Sequence, residues 1–386
     1  MNLLPFLASA AAQLANPGPT PDQSKLLAEL AARCRLPSEG LSTDLDILDY
    51  AGLLAGRTAP MPHCRSRDPD LALRLARMLA EAPSAASDDA YALLADWHEK
   101  GLGVEKNSAL ALSYRRRAWL LGWVAAAPFD GPQEARAYLV APETIGFLRG
   151  RVARGALGSE WVRLAEALLA RRAAGDLAEA RTLLKSPEAG TESRARLMLA
   201  EAALEPDATA ADVAQAAARL RPAASLPSDG PGARALLLRL GRLQLAKAGT
   251  AEETWDSIQS LAAAAYAGEA DPVRAFREAL KAANGGLEPA TVDAAAPPPR
   301  IQGDDYPASA IRRGATGGVV RLRALVDPRG IVIFTESLEP AQPADFVGAV
   351  RAVYARRPVP PVQLAAARPT PYVWMAVRPV SFRLSE

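Results

Sequence analysis

A stretch of alternating apolar and polar residues near the C-terminus interrupts a chain whose apolar residues otherwise recur at helical spacing. Within residues 318–327, one face carries Val320, Leu322, Ala324 and Val326, and the other carries Arg321 and Arg323. This period of two is typical of a half-buried strand. Asp327-Pro-Arg-Gly330 then predicts a turn, and Ile331–Ser337 predicts the second strand of a hairpin.

A helix and a further strand follow the hairpin. Pro343 suits the first turn of a helix, and its apolar stripe contains Phe346, Val347, Val350, Val353 and Tyr354. In the last strand, Val373, Met375 and Val377 share one face, whereas Tyr372 and Trp374 share the other. Pro379 predicts a bulge and a position at a sheet edge. Residues 303–386 are therefore predicted to form a small α+β domain, a three-stranded antiparallel sheet with one packed helix.

The order of short motifs in this region resembles the TonB C-terminal domain. The motifs are Asp305-Tyr-Pro-x-x-Ala310, Gly317–Val332, Glu336-Ser337, Asp345-Phe346, Arg357-Pro358 and Val380–Leu384. One departure is Arg356-Arg-Pro-Val-Pro-Pro361, since the family usually has an aromatic residue before the proline that follows the helix. The resemblance implies a periplasmic module that binds an extended peptide of an outer-membrane receptor.

The same resemblance points to residues 372–377 as the docking edge, with Tyr372, Val373, Trp374 and Met375 as partner-binding residues. Backbone pairing at such an edge gives sequence-tolerant affinity, and the two aromatic side chains would select the partner's alternate side chains. A second interpretation stays open, in which Tyr372 and Trp374 only cover a helix or loop.

The region before the Pro-rich stretch is predicted to be helical. Residues 90–122 resemble a Sel-one-like repeat, a relative of the tetratricopeptide repeat, with Gly101-x-Gly103 as the tight turn between two helices. Weaker helical periodicity continues beyond Gly131, so residues 22–283 are predicted to form an α-solenoid of helical hairpins. Trp97, Tyr114 and Trp119 could line a ligand groove, but aromatic residues at helical spacing are more often core.

Glycines and prolines interrupt this periodicity at residues 284–302. Asn284-Gly-Gly ends the last helix, and Pro297-Pro-Pro299 favours an extended chain. The chain is therefore predicted to be multidomain, with a flexible start at 1–21, helical repeats at 22–283, a linker at 284–302 and the TonB-like domain at 303–386.

The first fifteen residues are apolar for the length of a signal-peptide core and are too short to span a bilayer, which needs about 20 residues. They predict export, with a small-residue cleavage site at Ala10–Ala12. A cytoplasmic terminus is the alternative, because no basic residue precedes the apolar run. The two cysteines, Cys34 and Cys64, would form one disulfide in an exported chain and would be buried thiols in the cytoplasm.

The sequence offers little for catalysis. It has two histidines, His63 and His98, and no Gly-x-Ser-x-Gly, and the glycines at 314–318 precede a strand rather than a helix. A net charge of +2 gives no general attraction to nucleic acid. We therefore expect a protein that is not an enzyme, with no metal, no cofactor, no nucleic-acid partner and no transmembrane span.

Two functions stay open. One is a TonB-family periplasmic protein that binds an outer-membrane receptor or another envelope partner in support of TonB-dependent transport. The other is a structural helical-repeat adaptor that holds envelope proteins together without transmitting energy. The lack of an apolar span of about 20 residues counts against an energy transducer anchored in the inner membrane.

Export predicts that the mature protein lacks its first residues and that Cys34 is bridged to Cys64. The measurement is cell fractionation followed by intact-mass determination, with thiol alkylation in unreduced, denatured extract. A mature protein that begins at Met1 and alkylates at both cysteines would contradict the periplasmic location.

Overall fold

The computed structural model describes residues 21–34, 44–55, 64, 67–122, 127–190, 192–225, 230–266, 268–296, 298–315, 317–339, 344–356 and 370–383. The predicted signal segment, His63 and the Arg357–Pro361 departure lie outside these residues. The protein is mostly helical, with a small mixed sheet region near the C-terminus. It divides into two compact units, residues 1–192 and residues 193–386.

The first unit is made of helices. They are α1 (Pro21–Arg33), α2 (Asp44–Leu54), α3 (Pro69–Glu81), α4 (Ser87–Lys100), α5 (Ser108–Leu121), α6 (Pro132–Val140), α7 (Pro142–Ala153), α8 (Gly158–Arg171), α9 (Asp176–Lys185) and α10 (Pro187–Gly190). Cys34 and Cys64 are joined by a disulfide, and α2 lies between the two cysteines in the sequence.

Helices α4 and α5 form the hairpin that the sequence predicts. Gly101 ends α4 in the left-handed conformation, with φ of 72°, and a Cβ at Gly103 would lie 2.6 Å from that of Pro69. The side chain of Asn107 caps α5 by accepting a hydrogen bond from the backbone N–H of Leu110 at 2.9 Å. Trp97 is 1% exposed and packs in the core, so it does not line a groove.

A buried ion pair organises the middle of this unit. The Arg151 guanidinium is fully buried and binds both carboxylate oxygens of Glu160, at 2.5 and 2.9 Å. It also donates to the carbonyls of Ala80 and Ala82 and to the Ser87 hydroxyl. These contacts satisfy a charge that would otherwise be costly to bury, and they tie α7 and α8 to the end of α3.

The second unit combines helices and sheets. Its elements are α11 (Ser193–Ala202), α12 (Ala210–Leu220), α13 (Gly230–Lys247), α14 (Ala251–Ala265), α15 (Ala270–Ala283), β1 (Ala290–Ala296), α16 (Ala308–Arg312), β2 (Gly317–Val320), β3 (Leu322–Val326), β4 (Val332–Ser337), α17 (Ala344–Arg356), β5 (Val373–Val377) and β6 (Val380–Arg383).

The sheet differs from the three-stranded antiparallel prediction. Four strands form a mixed sheet in the order β1-β5-β3-β4, and β2 pairs with β6 in a separate two-stranded sheet. Each of the two long stretches predicted as one strand forms two strands with different partners. The first divides at Arg321, between β2 and β3, and the second divides at Arg378-Pro379, between β5 and β6. Pro379 therefore lies between two strands rather than within one. The Asp327–Gly330 turn forms as predicted, with the Asp327 carboxylate accepting from the backbone N–H groups of Arg329 and Ile331.

The four-stranded sheet is covered on both faces. One face packs on α17 through the predicted stripe, with Phe346 and Val350 against Val326, Val373 and Met375. The other face packs on the α14–α15 hairpin, where Ile258 and Phe276 meet Leu325, Ile333 and Tyr372. The sheet and this hairpin share a core, although the sequence predicts separate domains.

The predicted linker is also different in the structure. Residues 290–296 form β1, a member of the sheet, so the 284–302 segment is not a simple spacer. Asn284, 3% exposed, accepts a hydrogen bond from the backbone N–H of Tyr372 at 2.9 Å. The end of α15 is therefore bonded to the start of β5.

A shared core predicts that a helix mutation will weaken the sheet. Ile258→Ala, on α14, should lower the free energy of unfolding by about 2–5 kcal/mol, because it opens a cavity beneath Leu325 and Tyr372. Amide hydrogen exchange should show the loss in β3 and β5 as well as in α14. Leu245→Ala, at a 37% exposed position on α13, is the matched control. Unchanged protection in the strands would show that hairpin and sheet unfold independently.

Candidate functional site

The predicted docking strand lies inside the sheet. β5 pairs antiparallel with β3 and parallel with β1, so both of its backbone edges are bonded. This corrects the prediction of an open edge, which rested on Pro379 and on the resemblance to the TonB C-terminal domain. Because that proline follows β5 instead of lying within it, it carries no information about the neighbours of β5.

The segment that covers one edge of β5 is β1, which pairs parallel to it with an interrupted register. The Cα partners are Ala290 with Val373, Thr291 with Trp374, Ala295 with Ala376 and Ala296 with Val377. Between the two halves, three residues of β1 face one residue of β5, which interrupts the ladder. Among the β1 residues whose burial is described, Ala296 is fully buried and Ala290 and Val292 are half-buried, so these residues contribute little apolar burial. Its attachment depends mainly on backbone pairing.

Three of the four predicted partner-binding residues are buried. Val373 and Met375 are 0% and 1% exposed and contact the α17 side of the sheet. Tyr372 is 0% exposed on the opposite side, and burial raises the pKa of its hydroxyl far above the ordinary value. In this state their side chains support the fold, and proline at Val373 or Met375 would break a central strand.

Trp374 is the predicted site residue with accessible surface. It is half-buried, opposite Thr291 of β1, and the Arg323 guanidinium lies 4.4 Å from its ring centroid. This distance fits a cation–π contact. Arg323 also donates through Nε to Glu336 at 2.8 Å, which holds the guanidinium over the ring.

A cavity of about 530 Å³ opens beside Trp374. The α14–α15 hairpin covers one end of this face of the sheet. At the other end, Arg323, Phe334 and Trp374 form one wall of the cavity. Phe334 stacks on Tyr266 with centroids 5.1 Å apart and packs on Phe276 at 5.0 Å. Sequence analysis missed this cavity, because its walls come from segments about a hundred residues apart and only the folded unit brings them together.

The described residues offer no metal site, because no group of three or more His, Cys, Asp or Glu side chains within them could hold a metal ion. His98 is 6% exposed, its Nδ1 lies 3.3 Å from the carbonyl oxygen of Glu105, and its ring packs on Tyr114. None of the described helices has the length and apolar character that crossing a membrane requires.

Comparison with known proteins gives little. A scan against known protein families and a search of curated proteins found no match. Among solved structures, the chain aligns with a protective antigen present in uropathogenic Escherichia coli strains that displays an SLR fold. The alignment has 17% identity and a TM-score of 0.28, and covers 64% of this chain and 50% of the antigen. A score this low carries no conclusion about function, and the helical-hairpin architecture rests on the helices themselves.

Proposed function

We propose that the protein is a non-enzymatic periplasmic interaction protein with a TonB-type module at residues 303–386. The module would bind an extended peptide of an outer-membrane receptor, or of another envelope partner, by strand addition in support of TonB-dependent transport. The order of motifs supports the family. The single observation that carries the mode of binding is β1, an extended segment already bound parallel to β5.

In this proposal the partner peptide replaces β1. Because its register is interrupted and its side chains are small, β1 should bind β5 weakly for the number of residues it pairs, and a partner peptide could compete with it. Its tether compensates, because a segment linked to its own site acts at an effective concentration on the order of millimolar. The partner would therefore need larger apolar side chains at the positions of Val292 and Ala296, which face the α17 core.

Trp374 would supply selectivity. It is opposite Thr291, so a longer partner side chain at that position would reach the indole ring and the cavity beside it. Alternate side chains of an added strand point to the same face, which gives such a peptide two kinds of contact. Val373 and Met375 would act through their backbone only.

A structural adaptor is the second candidate. One observation favours it: both faces of the sheet carry packed helices and β5 has a neighbouring strand on each edge, as expected of a sheet that needs no added strand. In that case β1 stays in place, and envelope partners bind other surfaces without strand exchange.

A reversible lock between β1 and β5 separates the two candidates. Ala295 and Ala376 are Cα partners on neighbouring strands and both are exposed, so Ala295→Cys with Ala376→Cys should form a disulfide at the strand spacing of about 4.8 Å. The probes are a labelled peptide of residues 288–299 and N-terminal peptides of outer-membrane receptors. Strand exchange predicts that the oxidised variant loses at least about tenfold in affinity, because the edge of β5 stays closed.

Reduction should restore binding by the locked variant. The matched control is Ala295→Ser with Ala376→Ser, and the unmodified chain is measured with and without reductant because of its own disulfide. Equal binding by the oxidised and reduced variants would show that β1 does not leave, and would favour the adaptor.

A further inference from the structure

The cavity beside Trp374 has the volume of a small-molecule site. Its volume, about 530 Å³, falls within the range of about 300–1,000 Å³ that is usual for ligand pockets. Its lining combines the aromatic residues Tyr266, Phe276, Phe334 and Trp374 with charged side chains. Strand addition would use only its rim at Trp374, so most of the cavity has no part in the proposed function.

The charges around the cavity favour an anion. Three arginines, Arg277, Arg323 and Arg351, line it together with Glu288 and Glu336. Glu336 is already paired with Arg323. Within the described part of the chain, neither Arg277 nor Arg351 forms an ion pair, and Glu288 is exposed. Arg277 is equally exposed, so the lining carries three positive and two negative charges, a net charge of +1, and Arg351 has no carboxylate partner among the described residues.

Arg351 gives the more specific indication. Its Nε is buried and finds no hydrogen-bond acceptor among the described residues. Buried donors are almost always paired, so an unpaired one at the wall of a cavity is a position where a ligand acceptor would be favourable. The nearby Tyr266 hydroxyl donates to the Ile333 carbonyl oxygen at 3.3 Å and forms no hydrogen bond with Arg351 Nε.

We propose that this cavity binds a small aromatic carboxylate. The ring would pack against Phe334 and Trp374, and the carboxylate would accept hydrogen bonds from Arg351, with Arg277 adding positive charge at the opening. A cationic ligand would be repelled by the net positive charge of the cavity lining. An uncharged aromatic ring would leave Nε of Arg351 without a hydrogen-bond acceptor. The proposal does not rest on strand exchange.

The test compares two ligands that differ in charge but hardly in shape. The full chain is titrated calorimetrically with 2-naphthoate and with its neutral amide, 2-naphthamide. We expect saturable one-site binding of 2-naphthoate and about tenfold weaker binding of the amide, the order of effect of a hydrogen bond between charged groups. Equal affinities would overturn the anion preference, and no saturable binding of either compound would overturn the site.

Two variants assign the binding to this cavity. Arg351→Gln should weaken 2-naphthoate about tenfold and remove most of the preference for the charged ligand. Lys281→Gln, on α15, loses the same charge at an exposed position outside the cavity lining and should bind like the unmodified chain. Equal effects of the two substitutions would mean that only general charge matters.

Val273→Trp keeps every charge and fills the cavity with a large ring, so it should abolish binding. If this variant still binds 2-naphthoate and its melting temperature is unchanged, the ligand binds outside this cavity. The oxidised lock between positions 295 and 376 should bind 2-naphthoate like the unmodified chain, which separates failure of this proposal from failure of strand exchange.

Discussion

Backbone pairing on both edges of β5 is the constraint on which the second unit depends. This short strand lies between β1 and β3, with Val373 and Met375 in the core under α17 and Tyr372 in the core under the α14–α15 hairpin. The Arg329 guanidinium adds a polar tie, because it binds Asp327 in the hairpin turn and Asp256 on α14, each at 2.9 Å. Removal of either neighbour of β5 would open a row of backbone groups next to two packed cores.

The two neighbours of β5 are not equivalent. β3 is rich in buried apolar residues and also pairs with β4, whereas β1 is an edge strand of small residues with an interrupted register. Local opening in proteins selects the elements with the least apolar burial. β1 is therefore the strand whose release would remove least from the two cores, and its departure would present β5 to a partner in the orientation that β1 itself adopts.

Much of this unit could be predicted from local sequence. Period-two alternation located β3 and β5, the turn and the run that follows it located β4, the apolar stripe located α17, and the helical period extended over α14 and α15. β1 could not be found in this way. Its sequence, Ala-Thr-Val-Asp-Ala-Ala-Ala, has few residues of high strand propensity, and it is extended because β5 offers an edge. The buried state of Tyr372 and the cavity beside Trp374 also depend on the α14–α15 hairpin, which no local pattern connects to the sheet.

Amide hydrogen exchange across β1 and β5 tests the central claim, that β1 is a replaceable strand on a stable β5. The full chain is compared with and without an excess of the peptide of residues 288–299. If β1 is replaceable, its amides should exchange through local opening, faster than those of β5, and lose further protection when the peptide binds, while β5 stays protected. If β1 and β5 exchange together, only through global unfolding, and the peptide changes neither, then β1 is a permanent part of the sheet and strand exchange is excluded.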